Sequence, residues 1–109
     1  MKSAQSFNPE GQYYVGYMIE HGMIKEVSPS RRVVEAVDWY QKAARQGNSE
    51  ALTDLGFLYE KQIIGEGGEG LDLALDNYKK AVELSNPRAM NNFAGMFLAG
   101  NTYNNKLII

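Results

Sequence analysis

The sequence contains no cysteine, which excludes a disulfide framework and a thiolate metal site. It has one histidine, His21, and one tryptophan, Trp39. A lone histidine without cysteines or a nearby acidic pair cannot assemble a zinc site. Proline is scarce, and two of the 3 prolines directly follow an asparagine, in Asn8-Pro9 and Asn86-Pro87. Neither sign of charge dominates: 11 Lys+Arg stand against 13 Asp+Glu, a net −2. The basic residues are scattered, with Arg31-Arg32 the densest cluster, so the concentrated basic face of a nucleic-acid binder is missing. No apolar run approaches the ~20 residues of a membrane helix, and Met1 to Asn8 lacks the apolar stretch of a secretory signal. These absences lead to the expectation of a chain that is cytoplasmic by default, with no cofactor, no nucleic-acid partner and no membrane insertion. What remains, 44% apolar and 22% charged residues, is ordinary globular composition and enough for one small domain.

The strongest positive signal is internal repetition, which takes precedence because it decides the whole fold. Asn8-Pro9-Glu10-Gly11, Asn48-Ser49-Glu50-Ala51 and Asn86-Pro87-Arg88-Ala89 align, 40 and then 38 residues apart (8 to 48, 48 to 86). Each is followed by an apolar stretch: Val15-Gly16-Tyr17-Met18-Ile19, Leu55-Gly56-Phe57-Leu58-Tyr59 and Phe93-Ala94-Gly95-Met96-Phe97. A second segment occurs twice, again 38 apart: Ala36-Val37-Asp38-Trp39-Tyr40-Gln41-Lys42-Ala43-Ala44 matches Ala74-Leu75-Asp76-Asn77-Tyr78-Lys79-Lys80-Ala81-Val82. The two extra residues of the first period fall between its helices, where insertion is tolerated.

Helical period runs through every segment. Val33, Ala36, Val37, Tyr40, Ala43 and Ala44 recur at the spacing of one α-helical face, and Leu71, Ala74, Leu75, Tyr78, Ala81 and Val82 repeat the template. Asn8, Asn48 and Asn86 are predicted N-caps, with proline at the first helical position after two of them. Gly22, Gly47 and Gly100 stand where helices should stop. Small residues recur at fixed positions: Gly16, Gly56 and Ala94; Gly11, Ala51 and Ala89; Ala43 and Ala81. They let two helices of an antiparallel hairpin approach closely, while Tyr40 and Tyr78 supply bulk. One hairpin cannot bury its apolar face alone, so neighbouring repeats must stack. The predicted fold class is an all-α solenoid of helix hairpins, about two and a half repeats and five main helices. Its predicted divisions are repeat one over 8–47, repeat two over 48–85, a half repeat over 86–100 and a tail over 101–109.

Ala51, Leu55, Gly56 and Tyr59, followed in type by Ala36, Trp39, Tyr40, Lys42, Ala43, Ala44 and Gly47, give the pattern its specificity. With these residues the chain resembles the Sel-one-like repeats, relatives of the tetratricopeptide repeats, from roughly Pro9 to Gly100. Gln62 and Asn77 depart from the pattern, standing where a helix-ending glycine and a tryptophan are usual. The resemblance implies a scaffold or adaptor that binds other proteins, with no catalytic residues to carry over. It further implies that the first helix of each repeat lines a concave groove.

Other chemistry finds little footing. Gly65 to Gly70 formally satisfies a dinucleotide-binding spacing, but a helix precedes it instead of a strand, and Glu66 and Glu69 would repel phosphate. It reads as a connecting loop, without the ligand pattern of a calcium site. His21 lies at a helix end without a nucleophile or orienting partner, so no catalysis is expected. Trp39 has two open readings, packing position or exposed anchor.

Positions that differ between repeats carry the binding expectation. Tyr13 aligns with Thr53 and Asn91, Tyr17 with Phe57 and Gly95, and Glu20 with Glu60 and Leu98. Within one helix these positions form a single stripe. An aromatic and acidic groove for a basic or amphipathic peptide or protein partner is one expectation, and plain inter-repeat packing of Tyr17 and Phe57 is the other. The rival function is a small structural subunit or fragment of a larger assembly. In that reading it docks or self-associates through the uncovered end formed by Phe93, Met96, Phe97 and Leu98 and by Leu107-Ile108-Ile109.

Overall fold

The computed structural model describes residues 8–61, 63–64, 69–98, 102–103 and 106–107, the last six of these (97, 98, 102, 103, 106 and 107) by backbone alone. Five α-helices follow one another: α1 (Pro9–Glu20), α2 (Arg32–Arg45, entered through a 3-10 turn at Pro29–Arg31), α3 (Ser49–Glu60), α4 (Glu69–Glu83) and α5 (Pro87–Leu98). Beyond them Thr102–Tyr103 pairs antiparallel with Lys106–Leu107, a two-rung ladder the sequence pattern had not announced. The predicted stop at Gly100, the departure at Gln62, the loop residues 65–68 and Ile108-Ile109 lie outside the described residues.

One capping device starts three helices. Asn8 Oδ1 accepts from the Gly11 N–H at 3.1 Å, Asn48 Oδ1 from Ala51 at 2.8 Å, and Asn86 Oδ1 from Ala89 at 3.0 Å. Each satisfies one of the orphan donors of a first turn. One device also stops three helices. Gly22 (φ +75°) donates to the Ile19 carbonyl and Met23 to that of Met18. Gly47 (φ +86°) and Asn48 repeat the arrangement on Ala44 and Ala43. The third stop uses Ser85 (φ +65°), with Ser85 and Asn86 donating to Val82 and Ala81. These paired bonds close a helix C-terminus through one left-handed residue.

The chain divides into two compact units, Met1–Ala51 and Leu52–Ile109. In the first, α1 and α2 pair through Gly16: a Cβ there would lie 2.8 Å from Tyr40 Cδ1 and 3.2 Å from the Ala36 carbonyl oxygen. Ile19, Ala36, Tyr40 and Ala43 are buried. Tyr13 stacks on Tyr40 with ring centroids 5.6 Å apart, and Gln46 donates to Gln12 at 2.8 Å. In the second unit Gly56 plays the same part, with a Cβ falling 2.6 Å from both Tyr78 Cδ1 and Cε1. Ala74, Tyr78 and Met96 form its core, flanked by Tyr59, Leu71, Leu75 and Phe93. In this unit Arg88 on α5 also reaches Asp54 on α3 at 3.1 Å.

Candidate functional site

Each unit holds a buried tyrosine hydroxyl aimed at a glutamate. Tyr40 donates to Glu20 Oε1 at 2.5 Å, and Tyr78 donates to Glu60 Oε1 at 2.7 Å. The spacing follows from the close approach at Gly16 and Gly56: the ring slides past a position with no side chain and its hydroxyl arrives at the last turn of the neighbouring helix. Burial raises the Tyr78 pKa far above the ordinary tyrosine value. The Glu60 hydrogen bond and charge raise it further, against a smaller opposite pull from Asn92. The phenol is therefore a permanent donor, and a hydrogen bond of this kind to a charged acceptor is stronger than a neutral one.

This arrangement revises the expected acidic and aromatic stripe. Glu20 and Glu60 are half-buried anchors for tyrosine hydroxyls, in place of free groove carboxylates. Tyr13 is buried against Tyr40, and Thr53 is fully buried; neither faces solvent. Tyr17 and Phe57 do, at 37% and 41% exposure. The Tyr17 ring lies 4.2 Å from that of His21, and Lys61 Nζ sits 5.7 Å from the Phe57 ring centre. Asn91 is exposed. The Leu98 side chain lies outside the described residues.

Sequence comparison between repeats missed two exposed apolar side chains on α1, Tyr14 and Met18. They lie four residues apart, hence on one face, and Tyr17, three residues after Tyr14, is on the same side of the helix. The available signal was that Tyr14 aligns with the polar Asp54 and Asn92. Trp39 is half-buried with Lys42 Nζ 4.4 Å from its ring centre, an arrangement that combines packing with a cation–π contact. Among the described residues no group of three or more His, Asp or Glu side chains could hold a metal ion, and no helix is long and apolar enough to cross a membrane.

Capped helices pairing through a glycine-tyrosine contact, twice over, define a tandem helix-hairpin repeat protein. A protein-family model, the Sel1 repeat, matches residues 9–48 and 49–86. The chain belongs to the Sel1 repeat family, an all-α repeat class whose members generally mediate protein–protein interaction. Among solved structures it is similar to a protective antigen present in uropathogenic Escherichia coli strains that displays an SLR fold, with a TM-score of 0.74 and 27% identity over 92% of this chain. The chain spans 20% of the length of that protein. Comparison with the curated proteins gives no match.

Proposed function

We propose that the chain is a protein-interaction scaffold whose contact residues are the exposed aromatic side chains of its first-type helices. These are Tyr17, with Tyr14 and Met18, in the first unit and Phe57 in the second. The observation that carries this reading is positional. The preceding residues of the same helices, Tyr13 and Gly16 in one and Thr53 and Gly56 in the other, are buried. The aromatic residue at the shared repeat position is exposed both times. Large rigid apolar side chains held on helices in this way are the usual anchors of protein interfaces, and an amphipathic segment with apolar or aromatic anchors is the partner they fit. Neither Tyr17 nor Phe57 belongs to the glycine-tyrosine contacts that pair the helices, so truncating them should leave the fold intact. Tyr17→Ala/Phe57→Ala is expected to abolish recovery of the partners that the wild-type chain retains in affinity purification, with unchanged circular dichroism. Undiminished recovery from the double variant would sink the proposal.

A second reading is docking through α5, by residues other than the expected Phe93 and Met96, since Met96 is buried in the core with Ala74 and Tyr78 and Phe93 packs against it. Met90 on that helix is 44% exposed and Asn91 and Ala94 beside it are exposed, so this side of α5 carries one large apolar side chain to the surface.

A further inference from the structure

Among the described residues one buried side-chain nitrogen has no hydrogen-bond partner, and it is Nε of Arg32. Buried polar atoms are paired almost everywhere in folded proteins, and a charged group is the costliest to leave without a partner. Arg32 opens α2, one turn before Ala36, in the row that faces α1. Its guanidinium lies against Gly22, the left-handed residue that closes α1. A Cβ at Gly22 would fall 2.9 Å from Arg32 Cζ and 3.3 Å from Nε. The side chain as a whole is only half-buried, so part of it still meets solvent.

No carboxylate among the described residues answers this charge. Glu20, on the last turn of α1, accepts from the Tyr40 hydroxyl and has His21 Nε2 at 3.9 Å. Glu35, on the first turn of α2, is bonded to Arg31 at 3.0 Å. Arg32 belongs to none of the ion pairs. The second repeat has no equivalent cation. The matching position, 38 residues on, is Gly70, where a Cβ alone would lie 3.0 Å from the Tyr59 carbonyl oxygen. The arginine is therefore particular to the first repeat and is not something the helix pair requires.

The exposed side chains of α1 lead to the same helix end. Gly22 follows His21, whose ring is 4.2 Å from that of Tyr17, and comes four residues after Met18. Met23, 59% exposed, is tied to Met18 by a backbone bond of 2.8 Å. Tyr17, Met18 and Met23 thus border the turn against which Arg32 lies.

We infer that Arg32 receives a carboxylate, the side chain of an aspartate or glutamate on a partner segment whose apolar residues contact Tyr17 and Met18. A carboxylate takes two donors of a guanidinium at once, a fit that a point charge lacks. The inference rests on the reading of α1 as a partner-binding surface and gives that partner its charge. It reverses the basic partner expected from Glu20 and Glu60. Both of those carboxylates are held by tyrosine hydroxyls, and the charge left unanswered has the opposite sign.

The test uses the full chain, labelled with nitrogen-15, and synthetic amphipathic helical peptides with leucine and phenylalanine on one face. The peptides are made in pairs that carry either glutamate or glutamine at each flanking position in turn. In at least one pair the glutamate member is expected to shift the Tyr17 and Met18 amides and the Arg32 Nε–Hε resonance. It should bind on the order of tenfold more tightly than its glutamine twin. Arg32→Gln should erase that preference, with circular dichroism confirming the fold, and Arg32→Lys should keep only part of it. Peptides that shifted the Tyr17 and Met18 amides without preferring glutamate would overturn the inference and leave the α1 surface standing. So would a preference that persisted in Arg32→Gln. If no peptide moved those amides, the surface reading and the inference would fall together. The wild-type comparison decides the matter even if the variants do not fold.

Discussion

At the scale of single residues, two mid-helix glycines that look alike in the sequence should respond oppositely to the same change. Alanine is favoured over glycine in a helix by about 0.8–1 kcal/mol. At Gly95 an added Cβ meets nothing within 4 Å among the described residues, so Gly95→Ala should stabilise by roughly that amount. At Gly56 the Cβ would fall 2.6 Å from two atoms of the Tyr78 ring, which cannot swing away because it is fully buried and its hydroxyl is bonded to Glu60. Overpacking of about 1–3 kcal/mol should outweigh propensity there, and Gly56→Ala should destabilise. Urea midpoints of the two variants check the pair; a gain at both positions would refute the close contact. The tyrosine itself makes a pH statement. Its pKa is raised in the folded chain, so above about pH 10, where an unfolded tyrosine begins to ionise, the folded state binds more protons. Stability then falls as pH rises. Tyr78→Phe should be less stable than the wild type at pH 8 because a hydrogen bond is lost, and the difference should narrow at pH 11. A gap that stayed constant across that range would contradict the assignment.

At the scale of elements, the helices are delimited by chemistry that recurs with the repeat. Three asparagine caps are legible as sequence because each precedes proline or serine at the start of an apolar period. The stops are legible where glycine supplies the left-handed residue, at Gly22 and Gly47, and illegible at Ser85, which adopts φ +65° without being glycine. Nothing in a serine announces that conformation; the two backbone bonds to Val82 and Ala81, and the Asn86 cap that follows immediately, impose it. A left-handed residue bearing a Cβ is strained by roughly 1–2 kcal/mol, partly offset by the greater unfolded-state freedom of glycine. Ser85→Gly should therefore stabilise the second unit by about 0.5–1 kcal/mol, read as a rise in the thermal midpoint. A fall would show that the serine contributes more than its backbone angle.

At the scale of the whole molecule, repetition places chemically different residues at equivalent positions, and the differences become the functional information. Where the position of Gly16 holds glycine, a tyrosine closes the helix pair; where it holds Ala94, the residue is exposed. Where the position of Tyr17 recurs as Phe57, an aromatic side chain is left to solvent. Tyr17→Ala and Phe57→Ala should each weaken the recovery of a partner by the full chain, because each exposed aromatic side chain is an anchor of its own, and neither should lower the thermal midpoint. A single substitution that left recovery unchanged would show that the other aromatic side chain carries the contact alone.

The repeat period, the helix type of each segment, the asparagine caps and the family were determined by the sequence alone, because periodic burial and capping are local and recur on one chain. Which stripe residues face outward was decided only by tertiary structure. Tyr13 and Tyr17 are four residues apart and both aromatic, yet one stacks on Tyr40 and the other remains exposed. Glu20 and Glu60 read as free acids until a tyrosine hydroxyl, 20 and 18 residues further along the chain, arrives to bond each one. Burial and hydrogen bonding of this kind depend on what a second helix brings into contact, and spacing within one helix does not contain that information.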